Sequence, residues 1–167
     1  MLVNRVANSK LLTFNLEDLA PTIPLAEFDL RDYLWKELVL REKEFRAALK
    51  AHDWTQYIGK DLLMYCSNDA IIPTWAYMLV AVYAAPHANC VFSGNRTEFL
   101  REHYSKAIRE LDPLQYEDRM VVVKGCGEKD VPLCAYVELT ARLRPHVKSL
   151  LFGEPCSTVP LYKRKKP

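Results

Sequence analysis

Several features that would settle a function quickly are missing from this chain. No G-x-G-x-x-G, no phosphate-loop lysine pattern and no G-x-S-x-G elbow occurs, so nucleotide binding and serine hydrolysis lose their usual support. Neither sign of charge dominates: the formal net charge is +2, which argues for neither nucleic acid nor an anionic membrane as partner. The longest apolar stretch, Trp75 to Ala85, falls well short of the roughly 20 residues a membrane span needs. The opening MLVNRVANSK carries no apolar core of a secretion signal. The expectation is a soluble, cytoplasmic protein. No compact C-x-x-C occurs, and five cysteines, an odd number, argue against a disulfide framework. That leaves thiols for metal, redox or packing duty.

What is present is a chain of 167 residues, half of them apolar, enough for one proper core. From Lys60 onward strands alternate with helices. Asp61 to Cys66 reads as a buried strand, Pro73 to Ala85 as an apolar helix stopped by Pro86, and Cys90 to Phe92 as a short strand. A helix follows from about Thr97 to Leu111, with Asn95 and Glu98 as a capping box. Met120 to Val123 reads as a strand, Pro132 to Arg144 as a helix and Ser149 to Phe152 as a strand. Before Lys60, Leu11 to Leu16 and Glu27 to Leu30 read as strands and Glu42 to His52 as an amphipathic helix, while Tyr33 to Leu40 fits either strand or helix. Alternation at these lengths predicts an α/β fold, a three-layer sandwich around a mostly parallel, Rossmann-like sheet with an N-terminal β extension. The expected organisation is one domain over 1–167, with 1–59 as an extension packed on it and 163–167 as a solvated basic tail. No internal repeat and no low-complexity segment is read.

The most specific signal is the placement of three cysteines. Cys66 ends DLLMYC, Cys126 follows VVVKG and Cys156 follows SLLFGEP. In an open parallel sheet, ligands bind beyond the carboxyl ends of the strands, so the three thiols are expected at one edge of one sheet. Gly125 and Gly127 beside Cys126 would let backbone amides approach a ligand, and Asp69 and Glu154 stand beside Cys66 and Cys156 as fourth ligand or acid/base. Helices starting near Pro73 and Pro132 would aim their N-termini at the same crevice and favour thiolate. Three thiolates need a counter-charge, which zinc or an iron-sulfur cluster would supply. The competing reading is that buried cysteine packs as a small hydrophobe, the reading given to Cys90 and Cys134. His52, His87, His103 and His146 show no ligand spacing and read as surface or capping residues. Ser67, Ser157 and Thr158 read as turn formers, and Trp75, Tyr77 and Tyr83 as core.

The strings VNRVANS, LREKEF, PTWAYM, KGCG and GEPCSTVPLYK, spread over nearly the whole chain, resemble an uncharacterised bacterial family of unknown function. The resemblance implies an association with iron-sulfur cluster assembly and iron-sulfur assembly proteins as partners. Three functions are expected in turn. The first is a metal- or iron-sulfur-binding protein using Cys66, Cys126 and Cys156. The second is a cysteine-dependent enzyme, of thiol or persulfide chemistry, on the same site. The third is a non-catalytic interaction domain whose cysteines pack.

Overall fold

A computed structural model describes residues 11–125, 127–154 and 157–165. In chain order its elements are β1 (Leu11–Asn15), β2 (Leu25–Asp29), β3 (Leu34–Trp35), β4 (Val39–Leu40), α1 (Glu42–Ala51), β5 (Asp61–Tyr65), α2 (Thr74–Ala84), β6 (Cys90–Ser93), α3 (Arg96–Glu110), β7 (Met120–Lys124), α4 (Leu133–Leu143), β8 (Ser149–Glu154) and β9 (Ser157–Lys163). Short 3₁₀ turns follow β1 and β2 and precede β5 and β7. The fold is α/β with mostly parallel sheets, and the strands and helices from Lys60 to β8 lie where the alternation places them, whereas β9 was not expected. The ambiguous stretch 33–40 resolves into an antiparallel hairpin, with Leu34 opposite Leu40 and Trp35 opposite Val39.

The strands do not form one sheet. One sheet has the order β1-β7-β8-β9 and another β2-β5-β6. β5 is central: β2 runs parallel on one side, Phe28 opposite Met64, and β6 on the other, Leu62 opposite Val91. β7 is central in the same way, between β1 and β8. The reason is hydrogen-bond supply. A buried middle strand needs partners on both sides, and the two early strands provide them, one to each sheet. The chain accordingly divides into a continuous unit, Pro21–Phe99, and a second unit made of what precedes and follows it.

The two units repeat one another, contrary to the repeat-free reading of the sequence. Residues 41–95 match residues 100–154 without a gap at an offset of 59 residues, as between Asp61 and Met120. α2 and α4 coincide end to end, and so do the 3₁₀ turns Trp54–Tyr57 and Pro113–Tyr116, each capped by an aspartate, Asp53 or Asp112. Buried positions coincide too: Phe45 with Tyr104, Leu49 with Ile108, Ala76 with Ala135 and Val80 with Leu139. Gly59 and Asp118 both take positive φ, as do Gly94 and Gly153. The leading strands match as LAEFD-LRDY and LLTFN-LEDL, with Phe28 and Phe14 buried, and Leu30 and Leu16 fully so. The repeat hides in the sequence because most matched core positions keep only their apolar class, as Leu62 and Val121 do. Apolar class is what burial demands; residue identity is not.

Among the described residues each unit carries one addition that the other lacks. The hairpin β3–β4 belongs to the continuous unit, and β9 belongs to the other, pairing antiparallel with β8 from Ser149–Lys163 to Glu154–Ser157. β9 revises the reading of the tail: Lys163 is in a strand, and Arg164 donates to the Asp118 carboxylate and to the carbonyl of His146 at 2.9 Å. His52 departs from its expected surface or capping role as well. His52 is held among aromatic rings, stacked on Tyr57 with centroids 5.7 Å apart and edge-on to Phe28 at 5.5 Å. Its Nε2 lies 3.0 Å from the Tyr57 hydroxyl, and burial lowers its pKa against the opposing pull of Asp53.

Candidate functional site

In the continuous unit, the carboxyl ends of β2 and β5 bring together Asp29, Cys66 and Ser67. Asp29 closes β2 and caps the turn after it, accepting from the Arg31 amide at 2.9 Å and from the Ser67 amide at 3.0 Å. Burial alone would raise its pKa, but the hydrogen bonds from Ser67 and Arg31 outweigh that and hold the carboxyl below its usual range. Tyr65 donates to Glu27 Oε2 at 2.8 Å, and this hydrogen bond, with some burial, pushes the phenol up to about 12. Tyr77, in the first turn of α2, is raised by burial and then by the nearness of Cys66 and Asp29. Asp69 sits exposed on the loop that follows.

In the other unit, the equivalent strand ends carry Gly125, Gly127 and Glu154. Gly125 is buried, and a side chain there would meet the Tyr136 hydroxyl at 2.8 Å and Leu16 Cβ at 3.0 Å. The Gly127 amide donates to the Glu17 carboxylate, and Lys129 Nζ donates to the Glu17 carbonyl at 3.1 Å. Packing of Tyr136 and Glu17 therefore accounts for both glycines without a ligand. Glu154, ending β8, lies 3.6 Å from Lys124 Nζ, which ends β7. Cys126 and Cys156 fall outside the described residues.

The metal- or iron-sulfur-binding reading is overturned. Among the described residues no group of three or more His, Cys, Asp or Glu could hold a metal ion. Its geometric premise also fails, because Cys66 follows a strand of one sheet whereas Cys126 and Cys156 follow strands of the other. The strands before Cys126 and Cys156, β7 and β8, are neighbours, but β5, before Cys66, is paired with β2 and β6 of the other sheet. The shared site of the thiol-enzyme alternative goes with it. Cys66 is half-buried and packs against the core of Phe28, Leu62 and Ala76. Cys134 is half-buried in the first turn of α4, and Cys90 is exposed at the start of β6.

The feature that sequence reasoning misses is the hairpin. Trp35 is 44% exposed, Leu38 65% and Val39 52%. Arg41 stacks on the Trp35 ring at 3.9 Å and Lys36 lies over it at 4.6 Å, so the indole is held in place by two cations. Asn68 Nδ2 donates to the Glu37 carbonyl at 2.5 Å, tying the hairpin tip to the loop after β5. Beside the hairpin is a groove of about 260 Å³, lined by Asp32, Tyr33, Leu34, Trp35, Arg41, Glu44, Phe45 and Ala48. Its one signal in the sequence is Trp, Leu and Val beside three charges in a stretch with neither helical nor strand period.

The chain matches, over residues 1–164, the model of a family described as protein of unknown function (DUF2480), and it belongs to that family. No curated protein and no solved structure matches it. Among the described residues no helix is long and apolar enough to cross a membrane.

Proposed function

We propose that this member of the DUF2480 family is a non-catalytic interaction domain that grips a partner protein at the groove beside the β3–β4 hairpin. One observation carries the reading: the hairpin is an addition to the repeated core, and it turns its bulky apolar side chains outward. An element the fold does not need, with Trp35, Leu38 and Val39 facing solvent, costs solubility unless a partner covers it. Its turn is also strained, since Lys36 and Glu37 take φ of 50° and 59°, a conformation that favours glycine or asparagine.

The groove specifies the partner's chemistry. Its volume suits one anchoring side chain rather than a cofactor, given that small-molecule sites run from about 300 Å³ upward. Tyr33, Trp35 and Phe45 make the walls aromatic, the setting in which a single buried apolar anchor dominates affinity. Arg41 is engaged by Glu44 at 3.6 Å and by the Trp35 ring, whereas Asp32 presents a carboxylate at the groove. The occupant is a protein segment with one large apolar side chain and a lysine or arginine next to it.

The reading is tested by placing a photo-crosslinking amino acid at Leu38 in the full chain, irradiating living cells and identifying the adduct by mass spectrometry. One predominant protein adduct is expected, lost on adding Trp35→Ala while the melting curve stays unchanged. Adducts no more selective than those from the same probe at Lys106, on the charged face of α3, would reject it.

A further inference from the structure

The hairpin carries the chemistry that the groove beside it asks for. Leu38 is a large apolar side chain exposed at the tip, and Lys36 stands two residues before it. The groove is walled by Tyr33, Trp35 and Phe45 and includes the Asp32 carboxylate. We propose that the segment received by the groove is the hairpin tip of a second copy of this chain, with Leu38 entering between the aromatic walls and Lys36 meeting Asp32 across the contact. The proposal rests on the groove being a docking site and names its occupant. Giver and receiver lie on one patch, so each copy gives and receives at once, the isologous contact of a two-fold dimer. Among the described residues the chain carries one such hairpin, so the pairing closes at two copies.

Three observations support it. First, the charges of the patch suit its own copy. Residues 31–44 carry four basic and four acidic side chains, so two copies meet without net repulsion and opposite signs can pair across the axis. A patch of one sign would exclude itself. Second, the tip is organised in advance. The Leu38 amide donates to the Trp35 carbonyl at 3.2 Å and closes the turn, Asn68 holds the Glu37 carbonyl, and Lys36 and Arg41 hold the Trp35 ring. A tip fixed beforehand loses little freedom on docking. Third, Trp35, Leu38 and Val39 are all exposed on this one small element, and reciprocal docking covers both sets in a single contact.

The test is sedimentation of the full chain as a function of concentration. A monomer–dimer equilibrium is expected, with a dissociation constant on the order of 10 µM because the contact is small. Leu38→Asp should weaken it at least about tenfold, as loss of a central anchor does, with an unchanged melting curve in dilute protein. Charge reversal supplies a control that misfolding cannot mimic. Asp32→Lys and Lys36→Asp each set like charges against one another at both contacts of a dimer, so each variant alone should stay monomeric. An equal mixture of the two should restore a dimer containing one chain of each kind, seen by native mass spectrometry, because both contacts are again opposite in sign. A chain still monomeric at about 0.5 mM, a dimer untouched by Leu38→Asp, or a mixture no more associated than its components overturns the proposal. The groove as a docking site survives that result when crosslinking from Leu38 yields one predominant adduct with a different protein, and falls with it when the adducts are unselective. A predominant adduct with the chain itself supports both.

Discussion

Tyr104 and Phe45 occupy one position of the repeat, and they differ by a hydroxyl. Both rings are fully buried, but Tyr104 Oη has no hydrogen-bond partner among the described residues, and burial pushes its pKa up, with Glu17 and Asp130 adding to the shift. A buried hydroxyl left unpaired costs about 1–3 kcal/mol. Tyr104→Phe removes the cost without changing the ring, and the other unit already demonstrates that a phenyl fits. The variant is expected to be more stable than the parent by about 1 kcal/mol or more, read as a rise in the urea midpoint at unchanged slope. An unchanged or lower midpoint would mean that the hydroxyl is satisfied in solution. A second residue pair argues the same way about backbone: where one unit has Gly59, the other has Asp118 at a φ of 55°, and the aspartate is held there by the Arg164 guanidinium.

At the scale of elements, the hairpin and β9 stand out because they interrupt an otherwise duplicated pattern. The hairpin's strain is local and can be relieved. Glu37→Gly removes the Cβ from a left-handed position and leaves the carbonyl that accepts from Asn68. It is expected to raise the melting temperature, with a gain of about 1 kcal/mol, and to leave crosslinking from Leu38 intact. A lower melting temperature would show that the Glu37 side chain holds the turn. Most elements were legible from period and punctuation: Pro86 and Pro145 end α2 and α4, and Asn95 with Glu98 forms the expected box, the Glu98 amide donating to Asn95 Oδ1 at 3.1 Å and the Asn95 amide to Glu98 Oε2 at 2.8 Å. The hairpin was not, because two-residue strands are too short for a period to show. The strands before the cysteines were read correctly, but the one sheet expected to hold all three is two, with β5 in one and β7 and β8 in the other. Strand ends are a local property of sequence, whereas strand neighbours are settled by long-range pairing.

For the molecule as a whole, the nested order of the repeats makes one unit continuous and the other dependent on a distant strand. Pro21–Phe99 contains all three strands of its sheet and a core built on Phe28, Phe45, Leu49, Leu62 and Val80. A fragment of residues 21–99 is expected to unfold cooperatively by circular dichroism. A fragment of residues 100–165 lacks β1, and with it the burial of Phe14 and Leu16, which together contribute about 3–5 kcal/mol. It is expected to stay unfolded until a peptide of residues 11–20 is added. A cooperative transition in the second fragment alone would contradict the dependence. None of this nesting was visible in composition or period, because β1 and β2 look alike and nothing local says which sheet each joins.

That likeness has a consequence during synthesis. β1 leaves the ribosome well before its partner β7, which begins at Met120, more than a hundred residues later. At about 5–20 residues per second, LLTFN waits for several seconds beside a nascent β5 whose edge accepts a strand of the same pattern and register. β1 is thus a standing competitor of β2 for the same berth. Loop closure favours the native pairing, because β2 lies closer to β5 along the sequence and closes the smaller loop.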